Sequence, residues 1–355
     1  MIKPRVGVMR GGPSPEYEVS LKTGRAVLQH VSRERYEVLD LFIDRMGVWH
    51  VRGKPVEPAR ALSQVDVVFN ALHGKYGEDG ALQRYMDMHR VRYTGSDALG
   101  SGVAMHKGLT KRELFRRLFD DESPVPTAGY RPVYVPLPAR PHREAGVRGG
   151  ERARLLFPAD IVLSAPADAG ELAGVFERLS PPLMVKPMNG GSSLGMSVVR
   201  SRDEFLYAVL FAFENAEQVL VEQYVRGREV TVAVLEDFRG EEQYAFPPVE
   251  VVPTKNSWFD YEEKYAGHAR ELCPAPVRPE TTRALLELAR HIHRTLGLRD
   301  YSRSDFILGR DGIYFLEVNT LPGLTNTSLL PRAVESVGAT LPQFVDHVLT
   351  RALAR

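Results

Sequence analysis

Residues Tyr301 to Pro331 constrain this chain more than any other stretch: Tyr-Ser-Arg-Ser-Asp-Phe-Ile-Leu-Gly-Arg-Asp-Gly-Ile-Tyr-Phe-Leu-Glu-Val-Asn-Thr-Leu-Pro-Gly-Leu-Thr-Asn-Thr-Ser-Leu-Leu-Pro. Two apolar runs, Phe306–Leu308 and Ile313–Leu316, flank Gly309-Arg310-Asp311-Gly312 and predict a β-hairpin. A loop of Arg310, Asp311 and left-handed Gly312 pairs residue 309 with 313. Asp305 then stands opposite Glu317, and Arg303 opposite Asn319. Side chains alternate along a strand, so Glu317 and Asn319 share a face, and Asp305 joins them across the ladder. Two carboxylates and an amide oxygen with an apolar face behind them suit a hard cation such as Mg²⁺. In isolation the pattern fits a hairpin with a polar solvent face better. The residues after the hairpin favour the cation: Thr320-Leu321-Pro322-Gly323 ends the strand, and Asn326-Thr327-Ser328 opens a helix closed by Gly338. The N-terminus of that helix offers backbone N–H groups to an anion.

A chain of 355 residues divides into two or three domains of roughly 100–150 residues each. Its 46 basic and 45 acidic residues nearly cancel, so nothing points to nucleic acid or an anionic membrane as partner. Cys273 is the only cysteine, which excludes internal disulfides and fits a reducing compartment. Its setting, Leu272-Cys273-Pro274, carries no activating pattern for a nucleophile. No apolar run approaches the ~20 residues of a membrane span, and Met-Ile-Lys-Pro-Arg lacks the apolar region of a signal peptide. A cytoplasmic, soluble protein is expected.

Residues 5–9 predict a short strand ending in Gly11-Gly12, with Ser14 as N-cap and Pro15 as first residue of a helix. Strands at Val38–Ile43 and Val65–Leu72 continue a doubly wound α/β rhythm. The third strand runs into Leu72-His73-Gly74-Lys75-Tyr76-Gly77-Glu78-Asp79-Gly80, at the strand end where such sheets bind ligands. Glu16 and Glu18 sit at a helix start, where the dipole favours carboxylates in any case. Residues 131–165, with Arg140, Arg143, Arg148, Arg152 and Arg154 among many Pro and Gly, predict a solvated surface insertion. Val185-Lys186-Pro187 ends a strand, and Asn189-Gly190-Gly191-Ser192-Ser193-Leu194-Gly195 forms a small-residue loop suited to phosphates. Ser201-Arg202-Asp203-Glu204 is a capping box. Val219–Val225 predicts a strand that resembles an inter-lobe strand where a nucleotide base could pair with backbone groups. Residues between Pro253 and Pro276, including Trp258 and Tyr261, predict a long loop that is either a lid or disordered.

Together these pieces resemble the ATP-grasp superfamily and, within it, the D-alanine–D-alanine ligases. The resemblance rests on Gly11–Ser20, Leu72–Gly80, Tyr93–Ser96, Val185–Gly195, Phe259–Tyr265 and Arg303–Leu330, in the expected order. It implies an α/β protein with α+β lobes: an N-terminal doubly wound parallel-sheet domain at 1–100, a central ATP-grasp lobe at 101–221 and a C-terminal lobe at 222–355. It implies a carbon–nitrogen ligase that uses ATP and two Mg²⁺ ions, with Mn²⁺ able to substitute. The product would be D-alanyl-D-alanine for peptidoglycan precursors, made through a D-alanyl phosphate by a homodimer.

By the same resemblance, Asp305, Glu317 and Asn319 hold metal, and Lys107, Lys186 and Lys264 neutralise phosphate or serve the closing loop. Glu222, Val225 and Glu229 hold adenine and ribose. Glu16 binds the first ammonium, with His73 beside its carboxylate, and Tyr265 links Ser192 to Glu16 over the site. Arg303 and the Gly323 N–H stabilise an oxyanion, and Ser328 and Leu329 hold the second carboxylate. His106 stands where an aspartate is usual, Phe259 where a tyrosine is common, and the insertion is unusually long. Acceptors other than D-alanine, namely D-lactate or D-serine, are alternatives, as is a nucleotide-binding regulator without catalysis. The regulator would not need an oxyanion donor.

Overall fold

The computed structural model describes residues 3–119, 133–136, 152–164, 168–189, 195–214, 216–253 and 270–355. The chain opens with β1 (Arg5–Gly11), α1 (Tyr17–His30), β2 (Glu37–Ile43), β3 (Trp49–Val51), β4 (Lys54–Pro55), α2 (Pro58–Leu62), β5 (Val67–Asn70), α3 (Ala81–Met88) and β6 (Arg92–Tyr93). These strands form a sheet in the order β4-β3-β2-β1-β5-β6. The four strands from β2 to β6 in that order run parallel, and β3 and β4 add an antiparallel edge. Val6, Val8, Val67 and Phe69 face Val27 of α1, while Met9, Leu41, Ile43 and Val68 face Leu62, Leu82 and Met86. Both faces are therefore apolar, as a covered parallel sheet requires.

Two boundaries differ from the sequence reading. The helix expected from Pro15 begins at Tyr17, because Ser14 Oγ and the Ser14 carbonyl accept the Glu16 and Tyr17 N–H groups in a tight turn. Glu16 is thereby left at the mouth of α1. The strand expected at Val65–Leu72 is only Val67–Asn70, since Asn70 Oδ1 accepts the Leu72 N–H at 3.1 Å and turns the chain out of the sheet.

Next come α4 (Ala98–Met105), α5 (Lys107–Phe119), β7 (Val133–Pro136), β8 (Arg152–Leu156), β9 (Asp160–Ser164), α6 (Ala169–Leu179), β10 (Leu183–Pro187), β11 (Ser197–Val199), α7 (Arg202–Phe213) and β12 (Gln218–Gln223). An antiparallel sheet, β11-β10-β12-β9, buries Leu163, Val185, Val199 and Val221 under Leu172, Val175, Phe205 and Val209 of α6 and α7. The capping box that starts α7 is present: Ser201 accepts from the Glu204 N–H, and Glu204 from Ser201. His106 caps the start of α5, its Nδ1 accepting the Leu109 N–H at 3.1 Å.

The chain then builds β13 (Gly227–Phe238), β14 (Glu241–Ala245), β15 (Val249–Val252), β16 (Arg270–Leu272), α8 (Pro279–Thr295), β17 (Tyr301–Gly309), β18 (Ile313–Asn319), α9 (Leu329–Ser336) and α10 (Leu341–Ala354). The third sheet runs β16-β15-β13-β17-β18-β8-β7, with β14 on β13. The described residues of the stretch 131–165, namely 133–136 and 152–164, are thus mostly strand rather than irregular. β7 and β8 extend this sheet, β9 belongs to the preceding one, and Ala153, Leu155 and Phe157 are buried in the core. Sheet membership also crosses the boundaries expected at 101–221 and 222–355. β7 and β8 join the later sheet, and β12 spans residues 218–223.

One face of the third sheet presents Val230, Val232, Val234, Phe306 and Phe315 to Leu285, Leu288 and Ile292 of α8. The chain finally returns to its beginning. Leu330 and Val334 of α9 and Phe344, Val345 and Val348 of α10 join the core beneath β1 and β5. Asp300 reinforces that return, since it is fully buried and accepts from Gly95 N–H at 2.7 Å and from Arg355 at 2.6 and 3.0 Å.

Candidate active site

The β17–β18 hairpin forms with Asp305 opposite Glu317 and Arg303 opposite Asn319. Nearer the turn the pairing differs from expectation: residue 308, not 309, stands opposite 313. A bulge between Asp305 and Phe306 absorbs the difference by leaving Leu316 as an extra residue on β18. That bulge carries a chemical consequence. Ile313 and Phe315 face the apolar core, and unbroken alternation would send Glu317 there as well. The extra residue instead turns Val318 inward and leaves Glu317 and Asn319 on the opposite face.

On that face Asp305, 4 % exposed, accepts two hydrogen bonds of 2.8 Å from Arg303 and one of 3.1 Å from Asn319 Nδ2. Lys107 Nζ, from the start of α5, lies 3.4 Å from Glu317 Oε2. Two carboxylates and an amide from adjacent strands supply hard oxygen donors, so the residues fit a divalent cation.

Asp305 and Glu317 also line a cleft of about 270 Å³ between the second and third sheets, with Lys186, Glu222, Val225 and Glu229. Met184, Met196, Ile307 and Leu316 give it apolar walls, and a flat aromatic base needs such walls around a few polar groups. Lys186 Nζ contacts Glu222 Oε2. Burial, followed by the neighbouring Lys111 and Lys107 ammonium groups, holds Lys186 well below the ordinary lysine range.

Arg303 and Asn319 line a second pocket with Glu16, His73, Glu78, Glu271, Gly323, Ser328 and Leu329. Gly74 keeps the loop above it close, for a Cβ there would meet Ser14 Oγ at 2.5 Å and its φ is +72°. Glu16, His73 and Glu78 each place one ligand-capable atom within 4.8 Å of the others. His73 Nε2 is 2.8 Å from Thr23 Oγ1, and burial pushes its imidazole down to about 4. Burial and the charge of Glu16 raise Glu78, although the Gly74 and Leu321 N–H groups donate to its carboxylate. Ser328 precedes the first turn of α9 without a side-chain bond to the helix, its Oγ accepting the Thr325 N–H at 3.1 Å, and that turn opens on this pocket.

Two families match this sequence: D-ala D-ala ligase C-terminus over residues 164–350, and D-ala D-ala ligase N-terminus over 5–61 and 51–96. A D-alanine--D-alanine ligase of Geotalea uraniireducens is 34 % identical over 98 % of this chain and 95 % of its own. One of Syntrophobacter fumaroxidans is 34 % identical over 98 % and 97 %. The chain belongs to the D-alanine–D-alanine ligase family. Its fold agrees with that of solved family members. The VanG D-Ala:D-Ser ligase from Enterococcus faecalis superposes with a TM-score of 0.78 at 26 % identity, over 99 % of this chain and 100 % of that one. The expected ATP-grasp fold and family are both borne out.

Against the family pattern, Glu16, His73, Arg303, Gly323, Ser328 and Leu329 meet in one pocket, and Lys186, Glu222, Val225 and Glu229 in the other. Lys107, Asp305, Glu317 and Asn319 lie between them. Ser192, Lys264 and Tyr265, together with Phe259, lie outside the described residues. Sequence reasoning passed over Glu78, although it had picked out the glycine-rich loop that carries it. It also passed over Lys111, one turn beyond Lys107, and Asp160, which pairs with Glu222 across β9 and β12.

Proposed function

We propose that the protein is an ATP-dependent ligase that joins two D-alanine molecules into D-alanyl-D-alanine, releasing ADP and phosphate and supplying peptidoglycan precursors in the cytoplasm. One observation carries this reading: the β17–β18 face is a wall common to both pockets. Asp305 and Glu317 turn toward the nucleotide cleft, and Arg303 and Asn319 toward the Glu16–His73–Ser328 pocket. A carboxylate bound in the second pocket thus has a short path to a terminal phosphate in the first.

Each residue then has a task. Val225, Glu222 and Glu229 hold adenosine, while Lys186 and Lys107 meet the phosphates. Asp305, Glu317 and Asn319 would hold Mg²⁺, two ions in the fullest form, and that charge would offset the repulsion that opposes attack by a carboxylate. Glu16 receives the ammonium of the first D-alanine, and neutral His73 hydrogen-bonds its carboxylate. The first carboxylate oxygen attacks the γ-phosphorus and ADP leaves. The amine of the second D-alanine, its own carboxylate held by the Ser328 and Leu329 N–H groups, attacks the acyl carbon. Arg303 and the Gly323 N–H bind the oxyanion, phosphate departs and a proton is lost to water. Ser192, Lys264 and Tyr265 complete the closed site, and water exclusion protects the acyl phosphate. An N-terminal substrate unit and two nucleotide-clasping lobes, paired as a homodimer, complete the proposal.

The reading is supported by full-length similarity to ligases of this name. Its test is incubation with ATP, Mg²⁺ and D-alanine, alone and with equal D-lactate or D-serine. D-alanyl-D-alanine and ADP in equal amounts are expected, with the dipeptide the main product at neutral pH. ATP hydrolysis without dipeptide, or a preference for D-lactate, would overturn it.

A further inference from the structure

Behind the nucleotide cleft, four charged side chains form a row of alternating sign. Lys111 of α5 has a side chain with 0 % exposure, and its Nζ lies 3.0 Å from Asp160 Oδ2 and against Glu222 Oε1. The other Glu222 oxygen contacts Lys186 Nζ. Strand register builds the row, for β12 sets Glu222 opposite Asp160 on β9 and opposite Met184 on β10, two residues from Lys186. Only Lys186 and Glu222 line the cleft; Lys111 lies behind it.

Lys186 cannot serve a phosphate and remain on Glu222 unchanged. A phosphate that draws Lys186 away threatens to leave a buried carboxylate without a cation, one of the most unfavourable arrangements in a protein interior. Lys111 removes that difficulty because it touches the second Glu222 oxygen and cannot be reached from the cleft. We propose that Lys111 is a positioning residue, a resident counter-ion that keeps Glu222 paired while Lys186 leaves it for the phosphates of the nucleotide. Asp160 fixes Lys111 in that place. The proposal rests on reading the cleft as the ATP site. It predicts that Lys111 matters for the phosphates and not for the base.

The test is equilibrium binding of ATP and of adenosine to the full-length protein, its K111M variant and a K111M/D160N variant. The double variant removes a balanced buried pair, a change that proteins tolerate better than removal of one partner. In it Glu222 keeps Lys186 as its cation, so Lys186 is held back from phosphate. ATP affinity should fall at least tenfold, with adenosine affinity within twofold of the parent. Adding E222Q to the double variant should release Lys186 and bring the ATP-to-adenosine affinity ratio back toward that of the parent. Equal losses for both ligands, or no loss for either in the double variant, would show that Lys111 only cements α5 to the sheet. A parent protein that binds neither ligand would remove the nucleotide reading itself, whereas one that binds ATP beside an unaffected double variant removes this inference alone.

Discussion

Acid should weaken this protein through His73. The imidazole is 5 % exposed and shares a 2.8 Å hydrogen bond with Thr23 Oγ1. Burial is the main force holding it at about 4 rather than 6.5; the Leu321 backbone opposes that shift and the Arg303 charge adds to it. Glu78, 3.9 Å from Nδ1, gives little relief, because its own carboxyl is raised and holds its proton in acid. The native value lies below the unfolded one, so the native state disfavours the proton. The resulting stability is present above about pH 6.5 and is lost as pH falls toward 4. At ~1.4 kcal/mol per decade the full effect is about 3 kcal/mol, of which about 2.4 is lost between pH 7 and pH 4.5. Urea unfolding of wild type and His73→Gln, measured across that window, isolates the effect, because titrating groups remote from His73 cancel in the difference. Wild type should lose about 2 kcal/mol more than the variant. Curves that stay parallel within ~0.5 kcal/mol would refute the argument and mean that His73 binds its proton as readily in the folded protein as in the unfolded chain.

The same geometry sets three further outcomes. Glu317→Gln should lower dipeptide formation at least ~100-fold while costing only ~1–2 kcal/mol in urea unfolding: Lys107 loses a carboxylate 3.4 Å away, but no core volume is removed. Asp300→Asn should cost about 3 kcal/mol in urea unfolding, because Arg351 and Arg355 lose their shared carboxylate. Asn suits the positive φ of 58° at that position, which separates the charge effect from backbone strain. Phe306→Ala, at 0 % exposure in the α8 core, should cost ~3–5 kcal/mol by the same measurement.

The hairpin was the most legible part of the sequence, because turn glycines, apolar runs and carboxylates all lie within one short segment. Its far register came out as read, but the near register did not. A bulge depends on how the strand packs against α8, and local sequence does not state that. Residues 131–165 misled for a related reason. Six arginines and five prolines mask the apolar residues of this stretch, yet β8 needs only Ala153 and Leu155 to bury one face. Of the site residues picked out on glycine-rich or strand-end motifs, His73, Lys186 and Asn319 line the two pockets or the cleft between them, and Ser192 lies outside the described residues. Glu78, Lys111 and Asp160 were not picked out, since each gains its meaning from a partner distant in sequence: Leu321 for Glu78, Glu222 for Lys111 and Asp160. His106 shows the reverse case, a departure from the family pattern whose imidazole still caps α5.

The central claim, that a carboxylate in the Glu16–His73–Ser328 pocket attacks a phosphate held in the neighbouring cleft, has a direct test. D-Alanine labelled with ¹⁸O in its carboxylate is turned over with unlabelled ATP, and the released inorganic phosphate is weighed by mass spectrometry. Passage through an acyl phosphate predicts one ¹⁸O atom in each phosphate released with dipeptide. Phosphate that carries no label while dipeptide accumulates would contradict the account.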